Sequence, residues 1–328
     1  MRKINRLSTV PGRFFRSSDI FGRAVTTATA LILAFAALVL AGCGMKSGTD
    51  DQFIEMGGHR YQLKKEIITY LLLGVDTEGS LREEKEPGMA GQSDAIYLVV
   101  CDKSSKSARI IGVPRDTMTT IRVFLPSGKD NGTSTDHLTL QYAFGDGMEK
   151  SCELTEEAVS NLLYGIPIDG YLAVNLGAVP DFAESLGGIE VVVPDDSAKM
   201  EESSFVKGAK VTLDRTNVKK FLRFRNTEVS QSAVIRMERH KAFFKGCAKK
   251  LRSIVRSDPA EILRLYRECS PQLLTDISAD KCVELAGYDF DETVVILPGE
   301  KKSGDEYDEF YIDEDALQEM IADIFCCK

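Results

Sequence analysis

The sequence predicts an α/β sandwich, a central sheet covered by helices, and three observations predict it. Ile67 to Leu73, Ala95 to Cys101 and Ala108 to Val113 are apolar runs with little polar alternation, as in strands covered on both faces. Strand-like and helix-like segments alternate further along the chain. Gly187-Gly188 gives a sharp helix stop between a helical and a strand-like segment.

The elements follow in order. Met45 to Gly58 is polar and Gly-rich and reads as part of a tether. Ile67 to Leu73 is a strand ending at Gly74-Val75-Asp76, and Thr77 to Gln92, charged and holding Pro87, is a loop. The short turn Asp102 to Lys106 joins the second and third runs as a hairpin. Pro126 to Asp136 reads as a polar loop. Helical patterning is expected at His137 to Phe144, and at Thr155 to Leu163, where Thr155-Glu156-Glu157 resembles a capping signal. Tyr171 to Val174 and Ile189 to Val193 read as strands flanking a helix from Val179 to Leu186. A long helix spans Ser232 to Ser257, with Val234, Met237, Phe244, Ala248 and Leu251 as its apolar stripe. Thr293 to Lys328 reads as a strand, an acidic loop and a terminal helix.

The N-terminus carries an export signal. Arg2, Lys3, Arg6, Arg13, Arg16 and Arg23 precede the apolar stretch Ala24 to Ala41, and Leu40-Ala41-Gly42-Cys43 closes it in the layout of a lipoprotein signal. The stretch is also close to the ~20 residues that span a bilayer, so a retained single-span anchor is the competing reading. Either places the rest of the chain outside the cytoplasm, on a membrane. The organisation expected is residues 1–43 as signal or anchor, with Cys43 the lipidation site, 44–65 as tether, and 66–328 as a globular domain.

The chain has 41 Lys and Arg against 50 Asp and Glu, a net charge of −9. That balance argues against general nucleic-acid binding, which needs a broad basic surface. Yet the segment Asp214 to Arg252 holds twelve Lys or Arg and three acids, which points to a local anionic ligand or to a solvated basic helix face. The seven cysteines after Cys43 lack zinc-site spacing, and their odd number cannot all pair internally.

The candidate site rests on three stretches. Asp76 closes the first strand, Ser93-Asp94 opens the second, and Pro114-Arg115-Asp116 closes the third. The hairpin puts Asp94, Arg115 and Asp116 at one sheet end, and Asp76 joins them if the first and third strands are parallel. Carboxylates and an arginine there can hold a magnesium ion and a phosphate, although acids at strand ends also serve as turn formers. Arg223 and Arg225 precede the long helix, and Arg236, Arg239 and His240 share one of its faces by their spacing. Guanidiniums so placed suit a diphosphate, and salt-bridge roles are the alternative.

In order, Leu71-Leu72-Leu73-Gly74-Val75-Asp76, Ser93-Asp94, Pro114-Arg115-Asp116, Gly187-Gly188-Ile189, Arg223-x-Arg225 and Arg236-x-x-Arg239 resemble the LytR-CpsA-Psr family of cell-envelope proteins, over roughly Ile67 to Arg252. The resemblance implies an α/β sandwich with a central mixed sheet, and phosphotransfer of a glycopolymer from a polyprenyl-diphosphate carrier to peptidoglycan at the outer membrane face. It implies that Asp76 and Asp94 hold magnesium, that Arg115, Arg223, Arg225, Arg236 and Arg239 bind the diphosphate with His240 beside them, and that Asp94 or Asp116 accepts the hydroxyl proton. The chain departs from the family pattern at Gln92, where arginine is usual, at His240, where glutamine is usual, and around Gln231-Ser232-Ala233, which lacks an acid. The loss of a guanidinium motivates a second reading, a binding or regulatory protein that retains polyprenyl diphosphates without transferring them. A diphosphate hydrolase is a third.

Overall fold

The computed structural model describes residues 52–77, 80–175, 177–224, 232–269, 272–278, 281, 288–303 and 308–327. The segment expected to be an export signal or anchor, Cys43 included, lies outside them.

Six strands form the central mixed sheet: β3 (Ile67–Val75), β4 (Ser93–Asp102), β5 (Ser107–Val113), β8 (Tyr171–Asn175), β11 (Leu273–Thr275) and β12 (Asp289–Ile296), in the order β11-β8-β3-β4-β5-β12. β4 is antiparallel to both β3 and β5, so those two run parallel. β8 lies parallel to β3 and β12 parallel to β5. The carboxyl ends of four strands and the amino end of β4 therefore share one edge.

Side chains alternate between two cores. Tyr70, Leu72, Tyr97, Val99 and Ile110 face one, while Leu71, Leu73, Ile96, Leu98 and Ile111 face the other. Burial on both sides explains why these strands show no polar alternation. Over the first face lie α3 (Ala178–Ser185), α4 (Val218–Arg223), α5 (Ser232–Ser257) and α6 (Pro259–Cys269). The second face is covered by α1 (Leu140–Ala143), α2 (Glu149–Leu162) and α7 (Glu314–Phe325). The α/β sandwich read from the sequence is the fold observed. No described helix is long and apolar enough to cross a membrane.

The long helix keeps the bounds the sequence predicts, and Phe244 and Leu251 are buried as expected. Phe243 and Cys247 widen the stripe, while Ala248 is only half-buried; the side chains of Val234 and Met237 lie outside the described residues. Gly246 lets α5 lie directly on β9 (Ile189–Val192): a Cβ there would fall 2.5 Å from the Glu190 carbonyl oxygen. At the end of α3 the amides of Gly187 and Gly188 return to the carbonyls of Glu184 and Ala183, closing the helix with both glycines at positive φ.

Several elements differ from expectation. Within the segment read as tether, β1 (Phe53–Met56) and β2 (His59–Gln62) form a hairpin. Ile54 and Met56 are buried, and the hairpin is tied to the end of α7 by hydrogen bonds from Lys64 N to the Phe325 carbonyl and from Cys327 N to that of Gln62. The polar loop at Pro126 to Asp136 belongs to a second hairpin, β6 (Met118–Phe124) with β7 (Asp130–His137). β7 is mostly exposed on both faces, so no period-two pattern marks it. His137 ends that strand, and the helix expected from it shrinks to Leu140–Ala143.

α2 starts at Glu149, not Thr155: Asp146 Oδ1 accepts the amides of Met148 and Ser151, and Thr155 is buried in mid-helix, its hydroxyl donating to the Ser151 carbonyl. β9 pairs with β10 (Lys210–Leu213) in a separate two-stranded ribbon, outside the central sheet. The acidic terminal segment adds a third hairpin, β13 (Gly299–Ser303) with β14 (Asp308–Ile312). Through Phe310 that hairpin reaches the start of the β6–β7 hairpin, the Phe310 amide donating to the Asp116 carbonyl.

Candidate functional site

The shared edge of the central sheet gathers Asp76, just past β3, Asp94, at the start of β4, and Arg115 and Asp116, just past β5. Backbone register sets the acid in β4 apart. Gly74 pairs with Ala95 and Val75 with Ser93, so Asp94 is an extra residue with no opposite partner on β3. Such a bulge re-aims a side chain that regular pleating would send into a core.

Arg115 links the two acids beside it. Its Nη1 lies 2.5 Å from Asp94 Oδ1, and its Nε lies 3.1 Å from Asp116 Oδ1. The Asp94 side chain is only 3% exposed, and its Oδ2 has no hydrogen-bond partner among the described residues. Burial pushes the Asp94 carboxyl up to about 7; Arg115 opposes that rise, nearby Asp76 adds to it, and Arg236 opposes it. Burial also disfavours the charge on Arg115, but Asp94 and Asp116 outweigh it and hold its pKa above the ordinary value.

The electrostatic reach of Asp76 and Arg236 onto Asp94 brings four of the sequence-predicted residues into one neighbourhood, with Asp116 attached through Arg115. Arg236 is buried near the start of α5. An orphaned buried carboxylate oxygen beside a second acid fits a divalent cation, because a metal would satisfy Oδ2 and relieve the repulsion between the acids. No cluster of three or more His, Cys, Asp or Glu that could hold a metal forms among the described residues, so Asp76 and Asp94 are the carboxylates considered for it.

Arg239 and His240 depart from the expected diphosphate-binding role. One turn on from Arg236, Arg239 is 1% exposed and spends its donors on protein: Nε donates to the Phe221 carbonyl at 2.8 Å, Nη1 to Asp195 at 3.1 Å and to Ser197 Oγ, and Nη2 to the Phe224 carbonyl. Burial lowers its pKa, with Asp195 opposing. His240 Nε2 meets the Leu222 carbonyl at 3.0 Å. Burial drives the imidazole down to about 3, reinforced by Arg236, so His240 is neutral and brings no cation. Both side chains cap the last carbonyls of α4, which a six-residue helix cannot satisfy internally. Arg223 ends α4, half-buried, and Arg225 lies outside the described residues.

Sequence reasoning missed Thr139. Its amide donates to the Arg115 carbonyl at 3.0 Å, its carbonyl accepts the Ser93 amide at 3.3 Å, and its hydroxyl donates to the Ser93 carbonyl at 3.1 Å. The helix expected from His137 to Phe144 contains Thr139, and nothing in that pattern marks it.

A family model described as the LytR_cpsA_psr family matches residues 45–323. Among relatives, the chain is similar to the polyisoprenyl-teichoic acid–peptidoglycan teichoic acid transferase TagU of Bacillus cereus, 32% identical over 145 residues, covering 44% of this chain and 40% of that protein. It is also similar to the transferase of the same description, TagV, of Bacillus subtilis, 29% identical over 198 residues, covering 54% and 46%. The chain thus spans less than half the length of these two relatives. Among solved structures, Bacillus subtilis TagV matches with a TM-score of 0.60 at 21% identity over 80% of this chain and 96% of that one. A structure described as "TagT bound to LI-WTA" matches with a TM-score of 0.58 at 21% identity over 79% and 90%. At such identity the likeness shows the fold alone.

Proposed function

Because the chain belongs to the LytR-CpsA-Psr family, we propose that it transfers a glycopolymer from a polyprenyl-diphosphate carrier to peptidoglycan, at the outer face of a bacterial membrane to which residues 1–43 anchor it. The transferase descriptions of its relatives support the reaction class. One structural observation carries the reading: a buried carboxylate, Asp94, locked to Arg115 beside Asp76 and Arg236, at a sheet edge where strand ends converge.

Asp76 and Asp94 would hold a magnesium ion, which when bound supplies positive charge against the diphosphate. Arg115 is oriented by two carboxylates through Nη1 and Nε, so its Nη2 is the donor presented to a phosphate. Arg236 adds a second guanidinium from the helices over the first face, Arg223 at the end of α4 extends the basic set, and Arg225 joins it on the sequence alone. In the reaction an acceptor hydroxyl forms a bond to the phosphorus next to the polymer, and the bond from that phosphorus to the bridging oxygen breaks. Polyprenyl phosphate leaves with that oxygen. The hydroxyl proton passes to Asp116, the half-buried acid that remains when Asp76 and Asp94 are taken as metal ligands. Fixed guanidiniums stabilise charge on the transferring and leaving groups without having to reorganise.

The test is transfer by the full chain, with lipid-linked glycopolymer, peptidoglycan and magnesium. Polymer should appear on the peptidoglycan, and Asp94→Ala or Arg115→Ala should abolish it. One observation favours a second reading, retention of the lipid diphosphate without transfer: Arg239 and His240 are withdrawn into the protein, which leaves fewer cations for the leaving phosphate. Bound polyprenyl diphosphate with no product would establish that reading.

A further inference from the structure

Thr139 occupies the N-cap position of α1, where a threonine hydroxyl ordinarily accepts an amide of the first helical turn. Here it makes no cap bond. The side chain turns outward and donates to the Ser93 carbonyl at 3.1 Å, while the Ser93 hydroxyl donates back to the Thr139 carbonyl at 3.5 Å. The Thr139 amide meanwhile holds the carbonyl of Arg115 at 3.0 Å. One buried residue is thus bonded to the neighbour of Asp94 and to the backbone of Arg115 itself. Those two side chains form the 2.5 Å ion pair of the sheet edge.

The bulge makes this clamp necessary. Asp94 has no partner on β3 and its amide turns back to the Gln92 carbonyl at 3.1 Å, so its backbone is held through its neighbours, and Ser93 on that side is gripped by Val75 and by Thr139. Arg115 follows the end of β5 and lacks a strand partner as well. We propose that Thr139 is a positioning residue, whose hydroxyl sets the Asp94–Arg115 pair in the geometry that receives a lipid diphosphate. The inference rests on the function proposed for that edge.

The experiment compares wild type, Thr139→Val, Thr139→Ser and Thr155→Val as full chains in detergent with magnesium, using a polyprenyl diphosphate as the probe. Thr155 is an equally buried threonine whose hydroxyl donates to the Ser151 carbonyl within α2, so its valine variant controls for loss of a buried hydroxyl. Thr139→Val should weaken binding roughly tenfold or more, the scale of one charge-assisted hydrogen bond to the diphosphate lost when the pair is no longer held in place. Thr139→Ser should stay within about twofold of wild type, because it keeps the donor, and Thr155→Val should bind like wild type despite a similar loss of melting temperature. If Thr139→Val does not fold, Thr139→Ala read against Thr139→Ser makes the same comparison. Equal binding by the Thr139→Val and Thr155→Val variants overturns the positioning role alone. Failure of wild type to bind the probe overturns the functional reading on which it stands.

Discussion

His240 Nε2 lies 3.0 Å from the Leu222 carbonyl oxygen, and because a carbonyl only accepts, that contact fixes the ring as the Nε2–H tautomer. His240 sits in full burial, and its pKa falls from 6.5 to about 3. A folded-state value below the unfolded one means that acid favours the unfolded chain. The associated stability is complete above about pH 6.5 and is lost as pH falls toward 3. Replacing the ring with glutamine keeps a donor for Leu222 and removes the titration. Denaturant unfolding from pH 7 to pH 4 should show a shallower stability loss for His240→Gln than for wild type, a difference of a few kcal/mol at about pH 4.

Arg236 and Arg239, one turn apart, should separate by phenotype. Arg236→Ala removes a guanidinium whose charge acts on Asp94, and affinity for a polyprenyl diphosphate should fall about tenfold or more. Arg239→Ala strands the carbonyls of Phe221 and Phe224 and leaves Asp195 without its buried partner. It should cost about 3–5 kcal/mol of stability and leave the affinity of the folded fraction within about threefold. Calorimetry of binding and thermal melts on both variants would check the pair of outcomes.

Breaking the Asp94–Arg115 pair from one side should hurt more than removing it whole. Arg115→Met removes the charge that favours the Asp94 carboxylate, so the buried carboxyl takes up a proton at neutral pH and is left without its donor, and stability should drop by about 1–3 kcal/mol. Asp94→Leu combined with Arg115→Met should recover most of that loss in a denaturant titration while transfer remains absent.

The contact of α5 with β9 depends on Gly246. Gly246→Val drives side-chain atoms against the Glu190 carbonyl and the Ile189 side chain, and overpacking of this kind costs about 1–3 kcal/mol. Urea midpoints would measure it.

What the sequence reveals follows from how local each cause is. β3, β4 and β5 are legible because burial on both faces makes them continuously apolar, and the Asp102 to Lys106 turn fixes their pairing. The end of α3 is legible because two glycines adopt a conformation other residues avoid. β7 is illegible because both its faces are solvated, and the start of α2 because Asp146, outside the apolar pattern, supplies the amide acceptors. At the site, strand ends predict that Asp76, Asp94, Arg115 and Asp116 meet. The parting of Arg236 from Arg239 is not predicted. Helical spacing places them on one face, but α4, a separate segment, claims the second guanidinium for its own carbonyl groups.

From Ala95 to Cys101 every residue of β4 belongs to one core or the other, and a change of side chain is felt as lost packing. Asp94 stands where the alternation is suspended, so its side chain answers to the ion pair with Arg115 and hardly at all to the hydrophobic layers. On the function proposed for that edge, substitution there would retune or extinguish the chemistry while both hydrophobic layers keep their packing.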